Sequence, residues 1–555
     1  MTTSTSTSTD RDRDRDRDTE TVTDSGTDTT NSWEELVTAA LLGTDRRGSG
    51  TRTAGRSRKD AAAALLDEAA LHTVRRRAGL RPGPAAPLPE RAGPDPRPAL
   101  PDAARRRLAL LLSDRPGTGG GRRGTTPDLT ELLPQWLAGA NGYGYAAPSE
   151  LLPALLDAAR GRTDLRPPAL AFAGPRALWL AKLNPEWKFA LRTTPGGSAL
   201  PPADDQGAVQ RLWEEGLFAE RVALLGLVRA YDAQAARALL ESTWSTERAE
   251  DRLMFLDSLR TGLSDRDEPF LERALSDRSR NVRTTAAELL SALPGSALAG
   301  RMARRAATSI ALDALRTGIT VEAPHECDPD MERDGVVATA PPGRGQRAWW
   351  LGQLVEAAPL ATWPQRLGGR SPAEIVALPV ADDWQSELHA AWCRAAVRQR
   401  DAEWSRALLG AAASPGAAGP GAVSLAERSK LLGTLPEPER ADWVAGFIAA
   451  HGLSEAFQLL GVCAVPWAEP LGGAVVDALN IARDAGSYPW SFSGVMGLAE
   501  RCLEPGAAAR LESLTATPDE SEDGAPGAGG YWAEAFQRLV GTLRLRAVMR
   551  EELAG

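Results

Sequence analysis

The sequence predicts an all-α protein: a helical-repeat solenoid with an irregular N-terminal helical domain before it and a small extended or β insertion within it. Three observations lead there. Between residues 232 and 295, a helix-turn-helix unit ending at 259–262 is followed by a second ending at 293–295, a spacing within the range of solenoid repeats. Apolar residues recur at i, i+3, i+4 and i+7 through most of the chain, the period of an amphipathic helix. A two-residue alternation is confined to 318–345.

The bulk numbers agree with an ordered, water-facing molecule. The 555 residues are 43% hydrophobic and 25% charged, close to globular averages. No run of 18 apolar residues offers a membrane span. The opening MTTSTSTSTDRDRDRDRDTETVTD has no apolar stretch of the kind a secretory signal requires, so a cytoplasmic location is expected. Four cysteines, at 327, 393, 463 and 502, are too few and too scattered for a disulfide framework and read as free thiols. The net charge is -9, and arginine is interleaved with Asp and Glu; a nucleic-acid partner, which needs a clustered positive surface, is not expected. The basic charge is nearly all Arg and the Ala, Gly and Pro content is high, a composition that suggests a high-GC bacterial genome.

Residues 1–30 form a low-complexity Ser/Thr/Asp tract that cannot bury enough apolar area to offset its ordering entropy, and a disordered tail is expected. An irregular helical domain follows over 31–200. Its first helix opens with Ser32 as cap and Glu35 three residues on, a capping box, and aligns Trp33, Leu36, Val37, Ala40 and Leu41 on one face before stopping at Gly43. A second helix is expected over 60–78, Pro/Gly-dense linkers over 81–101 and 115–127, and further helices from Leu129, Leu151 and Gly174. Asn184 followed by Pro185 reads as a cap and first helical position.

In the block 206–317, helices are expected at about 208–215, 219–230, 233–243, 247–262, 267–276 and 279–293, joined by short connections that force antiparallel neighbours. Phe270, Leu271, Ala274 and Leu275 form one stripe; Val282, Ala286, Leu289, Leu290 and Leu293 form its partner. The pattern Leu275-Ser276-Asp277, Val282-Arg283, Ala286-Ala287, Leu289-Leu290 and Leu293 resembles a HEAT-type repeat, with its Asp in the turn and Val-Arg opening the second helix. Asp277 and Arg283 are expected to link adjacent turns by charge-assisted hydrogen bonds.

Residues 318–346 read as an extended insertion, with Ile319–Glu322 and Val336–Thr339 alternating as two short strands around a turn. Helices resume in 347–555, a second helical-repeat domain, and close with one over 531–553. The segments Ser32–Arg46, Leu183–Trp187, Thr243–Arg252 and Arg347–Leu351 resemble an uncharacterised bacterial family with a domain of unknown function. The resemblance spans roughly residues 31–555. It implies no assigned activity, and it implies genes that sit beside a MoxR-type AAA+ ATPase, a von Willebrand A-domain protein and a SWIM zinc-finger protein, a neighbourhood that points to a chaperone-like or assembly system.

Candidate chemistry is sparse. His325-x-Cys327, with Asp328 and Asp330, is a local cluster of metal-ligand types, and His389 and Cys393 lie one helical turn apart. Together they offer two His and two Cys to zinc. The spacing argues against it, since structural zinc sites pair short motifs such as C-x-x-C, and Asp328-Pro329 reads equally as a helix cap. No metal and no cofactor is therefore expected. The chain has no P-loop and only four lysines, no G-x-S-x-G elbow and four histidines, so no catalytic residue is expected. The carboxylate pairs Asp204-Asp205 and Asp382-Asp383 read as helix caps.

Sixteen tryptophans against nine Phe and five Tyr suit gaps between helical hairpins. Adjacent Trp349 and Trp350 cannot point the same way on a helix, so one is expected to be exposed as a partner anchor. Arg333 and Asp334, and Arg46 and Arg47, complete the expected contact surface. The function expected is a non-enzymatic adaptor or scaffold that binds another protein, with the MoxR-type ATPase or von Willebrand A-domain protein as candidate partners. The alternative is a metal-binding protein or enzyme centred on the His325-Cys327 insertion.

Overall fold

The computed structural model describes residues 33–42, 58–78, 89, 91–113, 127–193, 200–201, 203–413, 424–516 and 527–555. The chain divides into two compact units, Met1–Arg91 and Ala92–Gly555. The first contains the helices Trp33–Leu42 and Arg58–Ala78. Leu36 on the expected apolar stripe is buried, whereas Leu41 is 81% exposed. The expected Ser32 cap and the candidates Arg46 and Arg47 lie outside the described residues.

The second unit is all-α apart from one two-stranded sheet among its described residues. Its smaller apolar core is built mostly from 100–190, where Trp136 meets Phe172 edge-on at 5.6 Å. Asn184 caps the turn Pro185–Trp187, its side chain accepting from the Glu186 amide at 3.0 Å, as the Asn-Pro pair predicts. The larger core runs from Val209 to Leu543. It starts with the helices Gln206–Glu215, Phe218–Tyr231, Ala233–Thr243, Ala249–Ser258, Glu268–Ala274 and Arg280–Ser291, which match the expected elements with shifted ends. Asp205 and Asp232 cap two of them through amides at 2.8–3.0 Å. Phe270, Leu271 and Ala274 are buried, and so are Val282, Ala286, Leu289 and Leu290, so the two expected stripes do bury their apolar faces.

Arginine's abundance has a structural use: it ties helices together across the layers. Arg252 donates to the Asp277 carboxylate at 3.0 Å and lies in an ion pair with it at 2.9 Å, while Arg283 donates to the Asp277 backbone carbonyl at 2.8 Å. The expected Asp277–Arg283 link is thus made through the main chain, and the carboxylate is held by the preceding helical pair. The Arg283 guanidinium lies closer to the turn's carbonyls, which need donors at the helix end. Arg221–Glu247, Arg301–Glu272 and Arg538–Glu500 repeat the device elsewhere.

The insertion differs from expectation. Ile319–Val321 is a strand, but its partner is Ile310–Leu312, antiparallel, with Ala311 opposite Thr320. Val336–Thr339 pairs with no strand, because side chains of the helix Gln346–Ala357 occupy its backbone: Gln353 accepts from the Val337 amide at 2.8 Å, and both Trp349 and Trp350 donate to its carbonyls. Between them the helix Pro329–Arg333 is capped by Asp328, whose Oδ1 accepts from the Met331 amide at 2.6 Å. Asp382 and Asp383 sit at positive φ in a turn ahead of the helix Gln385–Gln399, so they do not cap it.

The final helix, Ala528–Ala554, runs 27 residues and belongs to both cores. Trp532, Phe536, Leu539 and Leu543 enter the larger one; Met549 and Leu553 enter the smaller. Arg107 grips Glu552 at 2.7 and 3.0 Å, and Tyr145 donates to the Leu553 carbonyl at 3.0 Å. Residues 100–190 are thereby fastened to the end of the chain.

Candidate functional site

Charged and apolar side chains together line a cavity of about 1040 Å³ in the larger-core region. Its walls come from five separated stretches: 260–263, 288–293, Glu356, 393–400, and Glu427 with Lys430. These are the C-terminal ends of the helices Ala249–Ser258, Arg280–Ser291, Gln346–Ala357 and Gln385–Gln399, closed by one face of Leu425–Leu432.

The wall at 260–263 is held from behind. Arg229, 2% exposed, donates to the carbonyls of Leu259, Thr261 and Gly262 at 3.3, 2.8 and 3.0 Å, and pairs with Asp267 at 2.6 Å. Gly262 adopts a φ of 63°, which a side chain would strain. Burial pushes the Asp267 carboxyl up, but Arg229, the Ser264 amide and Arg237 outweigh it, and the carboxyl titrates below its usual range. The opposite wall is tied across 107 positions of sequence, where Arg398 donates to the Ser291 hydroxyl at 3.0 Å.

Charge inside the cavity is uneven: five cations line it, Arg260, Arg394, Arg398, Arg400 and Lys430, against Glu288, Glu356 and Glu427. Arg260 is bidentate to Glu288 at 3.0 and 3.1 Å, and its hydrogen bonds to Glu288 and Asp257 raise its pKa. Glu356 accepts from Arg394 at 2.5 Å and also from Arg398. Glu427 turns back to its own helix, accepting from the Ser424 amide at 3.1 Å. Arg400 and Lys430 are exposed. Leu289, Leu293 and Val397 supply an apolar floor beside Cys393, whose thiol is pushed up to about 12 by burial and by the Glu427 charge.

The sequence-derived candidates lie elsewhere, Cys393 apart. His325 is exposed and meets Glu322 at 3.1 Å. Cys327 is half-buried; burial and the charges of Glu332 and Asp328 raise its pKa. His389 and Cys393 are buried on one helix, with the His389 ring tilted against Trp392 at 5.8 Å. Among the described residues no group of three or more His, Cys, Asp or Glu is placed to hold a metal ion.

Trp349 and Trp350 are both half-buried, and neither is the exposed anchor expected of the pair, since each indole N–H is spent on the insertion at 2.8 Å and Arg344 covers the Trp349 ring at 5.3 Å. Asp334 is fully buried, clasped by Arg301 at 2.9 Å and Arg305 at 2.6 Å, and so presents no contact surface. Arg333 remains exposed, 3.5 Å from Asp330. The cavity residues were missed because Arg260, Glu356 and Arg398 are unremarkable in sequence; a hint lay only in their position at helix ends.

Fold and cavity together define a class: an all-α helical-repeat protein with a polar cavity walled by helix ends. The chain belongs to a family of unknown function, DUF5691, whose model matches residues 35–553. No curated protein and no solved structure matches it. Among the described residues no helix is long and apolar enough to cross a membrane.

Proposed function

We propose that the protein is an adaptor or scaffold of HEAT-like character whose cavity at the helix ends receives a segment of another protein. The observation that carries this reading is the lining itself. Five stretches, separated in sequence, contribute paired guanidinium and carboxylate groups over an apolar floor, the mixture found at protein-binding surfaces. The charged groups hold one another in ion pairs, which fixes the shape of the walls and leaves the rim free for docking. The cytoplasm is the compartment proposed, and a MoxR-type ATPase or a von Willebrand A-domain protein encoded nearby the proposed partner.

The test is a titration of the purified chain with each of those two proteins, followed by calorimetry. Ala292 lines the cavity and is partly exposed, so Ala292→Trp puts an indole into the space without replacing a residue of either core stripe. Binding by the natural chain and its loss in the filled variant are expected. Equal binding by both forms refutes the cavity as the docking site.

A further inference from the structure

We propose that the segment received by this cavity is acidic: a peptide stretch of a partner protein that carries carboxylates with an apolar side chain among them. The inference rests on the scaffold reading above and adds the chemistry of the occupant.

Three observations carry it. First, the cationic surplus is not consumed. Arg260 is satisfied by Glu288, and Arg394 shares Glu356 with Arg398, but among the described residues Arg400 and Lys430 have no carboxylate partner, and both stand exposed on the cavity lining.

Second, the ends of the three neighbouring helices do not use that surplus; Arg400 and Lys430 stand at the ends of their own helices, Gln385–Gln399 and Leu425–Leu432. Helix C-termini carry partial negative charge that basic residues commonly offset. Here the end carbonyls have other donors: Arg229 serves 259–262, the Ser296 hydroxyl serves Leu290 at 2.8 Å, and the Gln399 amide serves Ala358 at 2.9 Å.

Third, Arg400 occupies a left-handed C-cap, with φ at 53°, a position that glycine fills at no steric cost. An arginine there is held in a sparsely populated conformation, which places a long cation on the cavity's edge.

A peptide fits these features better than a nucleic acid does. Glu288, Glu356 and Glu427 would repel a continuous run of phosphates, whereas a peptide spaces its carboxylates and sets an apolar side chain on Leu289, Leu293 and Val397.

The experiment uses the full-length chain and two fluorescein-labelled peptides of equal length, glutamate or lysine with leucine at every third position, read by fluorescence anisotropy. The glutamate peptide should bind more tightly, and its affinity should fall as salt rises. The double variant R400E/K430E should weaken it by about tenfold or more, while K182E, an exposed control on another helix, should not.

Equal affinity for the two peptides, an unchanged affinity in the double variant, or tighter binding of a single-stranded oligonucleotide of the same charge overturns the proposal. The two ideas fail separately. If Ala292→Trp abolishes partner binding but the glutamate peptide does not bind, the acidic occupant is wrong and the scaffold reading stands. If the peptide binds and Ala292→Trp leaves partner binding intact, the reverse holds.

Discussion

Replacing Arg229 with methionine removes the guanidinium that braces the cavity wall from behind. The side chain donates to four carbonyls, at Ala233, Leu259, Thr261 and Gly262, and to both oxygens of Asp267, and neither member of the ion pair is more than 2% exposed. Methionine keeps the bulk but leaves the carboxylate with the Ser264 amide at 3.0 Å, the Ser264 hydroxyl at 3.5 Å and Arg237 at 3.3 Å. Breaking one side of a buried pair costs about 3–5 kcal/mol, and this loss is expected here. Hydrogen exchange across the helices Phe218–Tyr231 and Ala249–Ser258, with urea unfolding read by tryptophan fluorescence, measures it.

The pH dependence has a definite sign. In the natural chain the folded Asp267 pKa is depressed, so its contribution is fully present at neutral pH and is lost as pH falls through that low value. In Arg229→Met burial acts with less opposition and raises the carboxyl, so its penalty eases as pH falls. The gap between the two proteins should therefore narrow from pH 7 towards acid. A cost below about 1 kcal/mol, or a gap that widens in acid, would refute the claim that this pair holds the wall.

Four further outcomes are expected. Leu553→Ala should cost about 2–5 kcal/mol and speed limited proteolysis within 100–190, because Leu553 completes the smaller core. Asp334→Asn should weaken the clasp of Arg301 and Arg305 by about 1.5–3 kcal/mol and raise exchange in Pro329–Arg333. Burial pushes the Asp334 carboxyl up, but the two arginines hold it below the usual range, so this clasp should outlast ordinary carboxylate titration as pH falls. In native alkylation read by mass spectrometry, Cys327 should react before Cys393 and Cys463, whose thiols are buried and pushed up to about 12 and about 11.

Local chemistry was readable from the chain alone. The Asn184 and Asp328 caps and the facing stripes of 270–274 and 282–290 depend on spacings of a few residues, and period and capping rules act at that range. Tryptophan's role as a filler was also legible: Trp136, Trp213, Trp363, Trp392 and Trp532 are fully buried. The strand partner of Ile319 was not, because a three-residue strand takes whichever edge is free, and Val336–Thr339 had already spent its backbone on Trp349, Trp350 and Gln353.

The sequence by itself determined that this is an all-α protein with amphipathic helices in antiparallel pairs, since the apolar period leaves no other way to bury those faces. Only the tertiary structure decided which charges meet. Arg398 reaches Ser291 and Arg107 reaches Glu552 across hundreds or scores of residues, and no local rule encodes such distances. The cavity exists because four helices happen to end at one place, a consequence of how layers stack. Pattern along a chain specifies faces and ends; the stacking of those faces in space specifies which ends become neighbours.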